Sequence, residues 1–302
     1  MFSDLLQQNG LSFDRLHSFC LVAEAGGVTK AAKGDPARQS LYSRQIRELE
    51  EFFGVELIRR SGRGIVLTQA GATLNILVRE QITVLADFKS ECQHQPVEVV
   101  LGAGDSVIQW LLLPRLAEIR ERFPGVRFKF LNLATADAVK RLADGMIDFA
   151  VAREDSLTRP LDARPMGVMG YALFIPQNHP AVRKNSMDSQ WLDNLPLATL
   201  EGEGSFRSDL AEIARKQKFR LNIQVECSSF PLAARAVSRG DVAAILPAIA
   251  ATELAGLAAV EVKLGVLRQF DRNMCLATNP RRVRLRPILE QIGTTIAKLC
   301  QF

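Results

Sequence analysis

The stretch KGDPARQSLYSRQIRELEEFFGVELIRRSGRGIVLTQAG, residues 33–71, decides how the front of this chain folds. Gly34 ends one helix, Asp35 caps the next, and Pro36 fits its first position, where a missing N–H costs nothing. The pattern predicts a helix from Pro36 to about Phe53, stopped by Gly54. Its apolar residues Tyr42, Ile46, Leu49 and Phe53 fall on one narrow stripe. Ser40, Ser43, Arg44 and Arg47 then share the opposite face. Two hydroxyls and two guanidiniums on an exposed helix face suit the major groove, where Arg reads guanine and Ser adapts to bases or phosphate. A merely solvated charged face is the competing reading.

The residues after that helix favour the first reading. Val55–Ile58 and Ile65–Thr68 flank Arg59-Arg60-Ser61-Gly62-Arg63-Gly64, two short strands around an Arg/Gly turn. Between Glu56 and Glu80 there are four Arg and no acid, although residues 1–95 are neutral with 11 basic and 11 acidic groups. Arg59, Arg60 and Arg63 at a hairpin suit phosphates or the minor groove. Upstream, Leu16, Phe19, Cys20 and Ala23 mark a helix from Phe13 to about Glu24, and Thr29 can cap a short second helix. Helix, turn, helix and basic hairpin make a winged helix-turn-helix. Thr68 caps a long helix, Gln69 to about Cys92, whose Leu74, Leu77, Leu85 and Phe88 have no second apolar element to cover them. Pairing with the same helix of another copy would bury them, and packing on the wing domain would take part of the stripe.

The texture changes at Gln93-His94-Gln95-Pro96. Beyond it, apolar runs alternate with helical patterns, as in VEVVLGAG, VRFKFLNL and DFAVA, which predicts an α/β domain with a mostly parallel sheet. Ligands of such sheets sit beyond the carboxyl ends of strands. Ser106, Thr135, Ser205 and Ser228 lie at four strand-to-helix junctions, where hydroxyls and N–H groups suit a small carboxylate or other anion. Helix capping is the plain alternative for each.

Residues 16–72 carry the most specific resemblance. Leu16-x-x-Phe19, Ala23-Glu24, Ala31-Ala32, Ser43-Arg44-Gln45-Ile46-x-x-Leu49-Glu50, Gly54-Val55-x-Leu57, Arg60-x-Gly62-Arg63 and Leu67-Thr68-x-Ala70-Gly71 are all present. The chain thereby resembles a LysR-type transcriptional regulator over nearly its whole length. It departs from the family where Asp35, Arg38 and Ser40 replace a Leu, a Ser and a Pro around the start of the recognition helix. Arg38 there offers a further phosphate or base contact. The resemblance implies a DNA-binding domain over 13–68, a linker and dimerisation helix over 69–95, and a two-lobed, periplasmic-binding-protein-like effector domain over 96–302. Lobe 1 is expected at about 96–174 and 278–302, lobe 2 at about 175–277. The implied partners are a double-stranded DNA operator, a small-molecule inducer in the cleft, and further copies in a homodimer or homotetramer.

Composition agrees. The chain has 302 residues, 47% hydrophobic and 24% charged, which is long enough for two or three domains. No uncharged apolar run of membrane-spanning length occurs and the start lacks a basic-then-apolar signal, so the cytoplasm is the expected compartment. Five Cys without a CxxC pair fit reduced thiols. No P-loop, HExxH or GxSxG occurs, and Gly102-Ala103-Gly104 has Val107 where a dinucleotide loop needs its third Gly. Neither an enzyme nor a cofactor nor a metal is expected. A solute-binding module without a DNA role, or a thiol sensor using Cys227 or Cys275, are the alternatives.

Overall fold

Ser12 opens the first helix by accepting a hydrogen bond from Arg15 N, and Gly26 closes it in the left-handed conformation, giving α1, Phe13–Ala25. A single turn follows, α2, Val28–Ala31, and its cap position is Gly27, so Thr29 lies inside the turn and does not cap it. Asp35 accepts from Ala37 N and Arg38 N, starting α3, Pro36–Phe53. An Asp cap of this kind contributes about 1 kcal/mol. The wing strands are β1, Ile58–Ser61, and β2, Gly64–Leu67, antiparallel with Ser61 opposite Gly64. Thr68 accepts from Gly71 N and begins α4, Gln69–Cys92.

The computed structural model describes residues 10–62, 64–179, 182, 192–202 and 204–302, with residue 205 described by its backbone. The chain divides into two compact units between Gln95 and Pro96. The first is built around Phe19, Val22, Ile46, Leu49, Leu57 and Val78, with Leu16, Tyr42 and Leu74 packed at its edge. Each large side chain fully buried here stabilises by roughly 1.5–3 kcal/mol. Two backbones meet closely in this unit. A Cβ on Gly71 would lie 2.0 Å from the Leu57 carbonyl oxygen, and one on Gly64 would lie 2.9 Å from that of Gly26. Ile65 N donates to the same Gly26 oxygen, so the wing is tied to the turn between α1 and α2.

The second unit has two five-stranded sheets. The first contains β3, Val97–Ala103; β4, Val126–Asn132; β5, Phe149–Arg153; β6, Asp162–Met169; and β12, Arg272–Thr278, in the order β4-β3-β5-β12-β6. The second contains β7, Tyr171–Pro176; β8, Pro196–Leu200; β9, Asn222–Cys227; β10, Ala243–Pro247; and β11, Ala259–Val262, in the order β11-β7-β10-β8-β9. β3 pairs with β4 and β5 in parallel, whereas β12 is antiparallel to both neighbours. The chain passes between lobes at Gly170 and at Asp271. Both crossings come earlier than the sequence suggests, because β12 completes the first sheet between β5 and β6 while β7 already belongs to the second.

Helices connect these strands: α5, Asp105–Val107, continued by a π-helical turn over Ile108–Leu112; α6, Leu116–Arg122; α7, Thr135–Ala143; α8, Ser205–Gln217; α9, Phe230–Ser238; α10, Ala251–Leu254; α11, Pro280–Leu285; and α12, Ile288–Leu299. Asp148 locks the first lobe. Its Oδ1 accepts from Arg282 Nε at 3.0 Å and from Arg286 Nη1 at 2.6 Å, and its Oδ2 from Val100 N at 2.8 Å. All three side chains are buried, and Arg286 also donates to the Glu98 carbonyl. Among the described residues no helix is long and apolar enough to cross a membrane.

Candidate functional site

One concave face of the first unit gathers side chains from three elements. Thr29 and Lys30 come from α2, Gln39, Ser40, Ser43 and Arg47 from α3, and Arg60, Gly62 and Gly64 from the wing. α3 places Ser40, Ser43 and Arg47 there because its other face buries Ile46 and Leu49. Among the described residues Arg47 and Arg60 form no ion pair, so their charge is available to the concavity.

The remaining basic residues sit differently. Arg44 is 70% exposed, with Nε 3.7 Å from Glu48, whose other oxygen is held by Arg15. Arg38 lies 3.5 Å from its own cap, Asp35. Arg59 pairs with Glu56, the acid that precedes the basic stretch, at 3.1 Å, so not every wing arginine is free of a neighbouring carboxylate. The strand begins at Ile58 and not at Val55, so Arg59 and Arg60 project from β1 and not from the hairpin tip. The strand is followed by Gly62, and Arg63 lies outside the described residues. Thr29, Lys30 and Gln39 are the additions that sequence periodicity missed. Their place depends on how α2 turns against the wing, which no spacing within one helix reveals.

On α4, Leu77, Leu85 and Phe88 are exposed, Phe88 by 63%. Leu74 is half-buried against the first unit's own core. The exposed three form the part of the stripe that no described residue covers.

Between the two lobes lies a cleft of about 330 Å³. Ser106 and Thr135 both line it, at the ends of β3 and β4. Ser106 is 9% exposed. The cap position of its helix is Gly104, with no side-chain capping bond, and among the described residues neither hydroxyl has an intramolecular hydrogen bond. The capping reading therefore fails for Ser106. Ser205 opens α8, but its side chain lies outside the described residues, while its neighbour Phe206 lines the cleft. Ser228 is exposed and does not line the cleft. The residue after it, Ser229, caps α9 by accepting from Leu232 N. The structure thus brings together the two first-lobe hydroxyls and leaves Ser228 outside.

Three kinds of group complete the cleft. Tyr171, Phe206 and Phe270 form an aromatic wall. Arg153 and Arg272 bring positive charge, and Asp209 of α8 brings one carboxylate. Arg272 Nη2 donates to Asp209 at 3.1 Å. Burial pushes the Tyr171 phenol up to about 12 against the opposing pull of Arg272 and Arg153, so it stays neutral. Arg153 ends β5 and Arg272 begins β12, two adjacent antiparallel strands, and a sequence offers no sign of which strand ends converge until the sheet order is known.

The thiols are poor nucleophiles. Burial pushes Cys20, Cys275 and Cys300 up to about 11 and raises Cys227 as well. Only a thiolate attacks peroxide or a disulfide, so these environments do not suit a sensor.

Residues 13–72 match the family model described as a bacterial regulatory helix-turn-helix protein of the lysR family, and residues 94–294 match the LysR substrate binding domain. A probable RuBisCO transcriptional regulator from Cyanophora paradoxa is 25% identical over 291 residues, covering 90% of this chain and 87% of the relative. A full-length OxyR variant from Pseudomonas aeruginosa has a similar fold, with TM-score 0.67 at 18% identity, over 96% of this chain and 98% of that one. Full-length LysG from Corynebacterium glutamicum with bound effector Arg has TM-score 0.64 at 15% identity, over 95% and 98% of the two chains. The helix-turn-helix match and the match over two thirds of the chain to the effector-binding half make this protein a member of the LysR family of transcriptional regulators.

Proposed function

We propose that this regulator binds its operator through α3 and the wing, and that a small anionic effector held between the lobes sets how it does so. The observation that carries the reading is Ser106, which lines the cleft with no intramolecular hydrogen bond among the described residues, so its hydroxyl can exchange water for a ligand oxygen. Thr135 supplies the second hydroxyl, and Ser205, at the start of α8 beside Phe206, is kept as a second-lobe contact. LysG, similar in fold, has been seen with its effector bound.

On DNA, α3 lies in the major groove with Ser40, Ser43 and Arg47 toward base edges. Arg60 and Arg63 of the wing, with Arg38, Arg44 and Arg59, neutralise phosphates. Residues 13–68 form the DNA-binding domain, 69–95 the linker helix and 96–302 the effector domain. Leu77, Leu85 and Phe88, with part of Leu74, pack against the same helix of a second copy, giving at least a homodimer and, through effector-domain contacts, a homotetramer. It works in the cytoplasm, where its DNA is.

The test uses the full chain. Selection from a random duplex library at moderate salt is expected to enrich two half-sites about one helical turn apart or a multiple of it. A thermal-shift screen of small acids is expected to find a stabilising ligand whose effect disappears in Ser106→Val. No enrichment of any sequence would overturn the first half, and stabilisation undiminished in Ser106→Val the second.

A further inference from the structure

The cleft is chemically two-sided. The ends of β3 and β4 bring hydroxyls, and the opposite wall is made of rings. Tyr171 and Phe206 have centroids 5.7 Å apart with planes inclined by 26°. Phe270 lies 5.0 Å from Phe206 at 35°, and Phe230 braces Phe206 edge-on at 5.1 Å and 87°. A ring held from behind by two others offers a fixed face at little conformational cost. Phe206 and Tyr171 are half-buried, so that face is only partly covered by protein.

Charge narrows the ligand further. Arg272 is matched by Asp209, and Arg153 lies 3.5 Å from Asp155, a carboxylate 73% exposed to water. Among the described lining residues this leaves no more than one positive charge uncompensated, enough for one carboxylate and not for two. A volume of about 330 Å³ is at the small end for ligand sites and admits a single ring with its substituent.

We infer that the effector is an aromatic monocarboxylate, with its carboxylate at Ser106 and Thr135 and its ring laid against Tyr171 and Phe206, which Phe270 backs from the core. The inference rests on the cleft reading above and goes beyond it by naming the ligand's class. The hydroxyls donate to the carboxylate oxygens, the rings exclude water from its body, and the phenol of Tyr171 stays neutral beside it.

Titration calorimetry on the full chain tests this with benzoate, acetate, succinate and benzyl alcohol as probes. Benzoate is expected to bind at least about tenfold more tightly than each of the others, the order of one well-placed aromatic contact. Phe206→Leu keeps bulk but removes the ring and is expected to weaken benzoate severalfold while leaving acetate unchanged. The comparison among probes needs no variant, so it stands even if Phe206→Leu folds poorly. Succinate or acetate binding as tightly as benzoate, with that binding lost in Ser106→Val, would overturn the aromatic class and keep the anion cleft. Benzyl alcohol equalling benzoate would overturn the carboxylate. No heat from any probe, together with no stabilising acid in the thermal screen, would overturn the cleft reading itself.

Discussion

Arg272 Nη2 lies 3.1 Å from Asp209 Oδ2, so the first residue of β12 is tied to the helix that carries Phe206. Arg272 also donates to the carbonyls of Gln269 and Asp271, which fixes its guanidinium at the point where the chain re-enters the first lobe. An anion held at Ser106 and Thr135 would share the cleft with the Asp209 carboxylate and be repelled by it. Asp209→Asn keeps the shape and removes that like charge. It is expected to tighten anion binding by about two- to fivefold, the scale of a partly exposed ion pair. Arg272→Met is expected to weaken it, and unchanged affinity in both variants would separate the pair from the ligand.

The DNA face gives a ranked expectation. Arg47 is unpaired among the described residues while Arg44 is shared with Glu48. Arg47→Ala is expected to cost about 1–3 kcal/mol of operator affinity and to relax specificity at one base pair. Arg44→Ala should cost less. Fluorescence anisotropy on operator and scrambled duplexes reads both, and operator affinity unchanged in the double variant would remove α3 from the groove.

For the wing, Arg60→Gln should weaken all duplexes alike and reduce the salt slope by about one. Arg59→Gln, already partnered by Glu56, should change the slope less. A loss confined to one sequence would mean the wing reads shape.

Assembly is tested at Leu85, which is 49% exposed on α4. Leu85→Asp puts a carboxylate into the proposed pairing surface, where an unpartnered charge costs several kcal/mol. Sedimentation should show dissociation. An oligomer as large as wild type would take this helix out of the interface.

The thiols make a chemical test. With Cys20, Cys275 and Cys300 near 11, about one in a thousand is thiolate at pH 8. Iodoacetamide should modify exposed Cys92 and spare the three in the folded chain. Rapid labelling of Cys275, or peroxide-dependent operator release, would restore the thiol-sensing alternative.

The sequence was most informative where structure is decided locally. Gly34-Asp35-Pro36 and Gly54 bound α3 because caps and left-handed stops act within one turn of helix. Thr68 announced α4 for the same reason. Long-range pairing was less legible. β12 reads as one more apolar run, and only its antiparallel register with β5 and β6 assigns it to the first lobe. Asp148 is visible as a residue, but its grip on Arg282 and Arg286 joins positions more than a hundred residues apart. The cleft divided along the same line. Ser106 and Thr135 follow strand ends, where ligands of such sheets gather, whereas the aromatic wall depends on three elements meeting in space.

The contact between Gly71 and Leu57 sets how motion can travel in the first unit. With no room for even a methyl group between them, the first turn of α4 has no pivot of its own. Turning it drags Leu57, and Leu57 leads directly into β1 and the rest of the wing. The wing is in turn fastened at Gly26, in the turn between α1 and α2, and α2 leads into α3. On the proposed reading, α4 and α3 would move as the two arms of a single lever, with the fulcrum where two backbones touch. A few degrees of tilt along α4 would arrive at the DNA end as a displacement of the whole reading head and not as a loosening of it. Distance between half-sites, and not grip on either one, is the quantity such a lever can adjust.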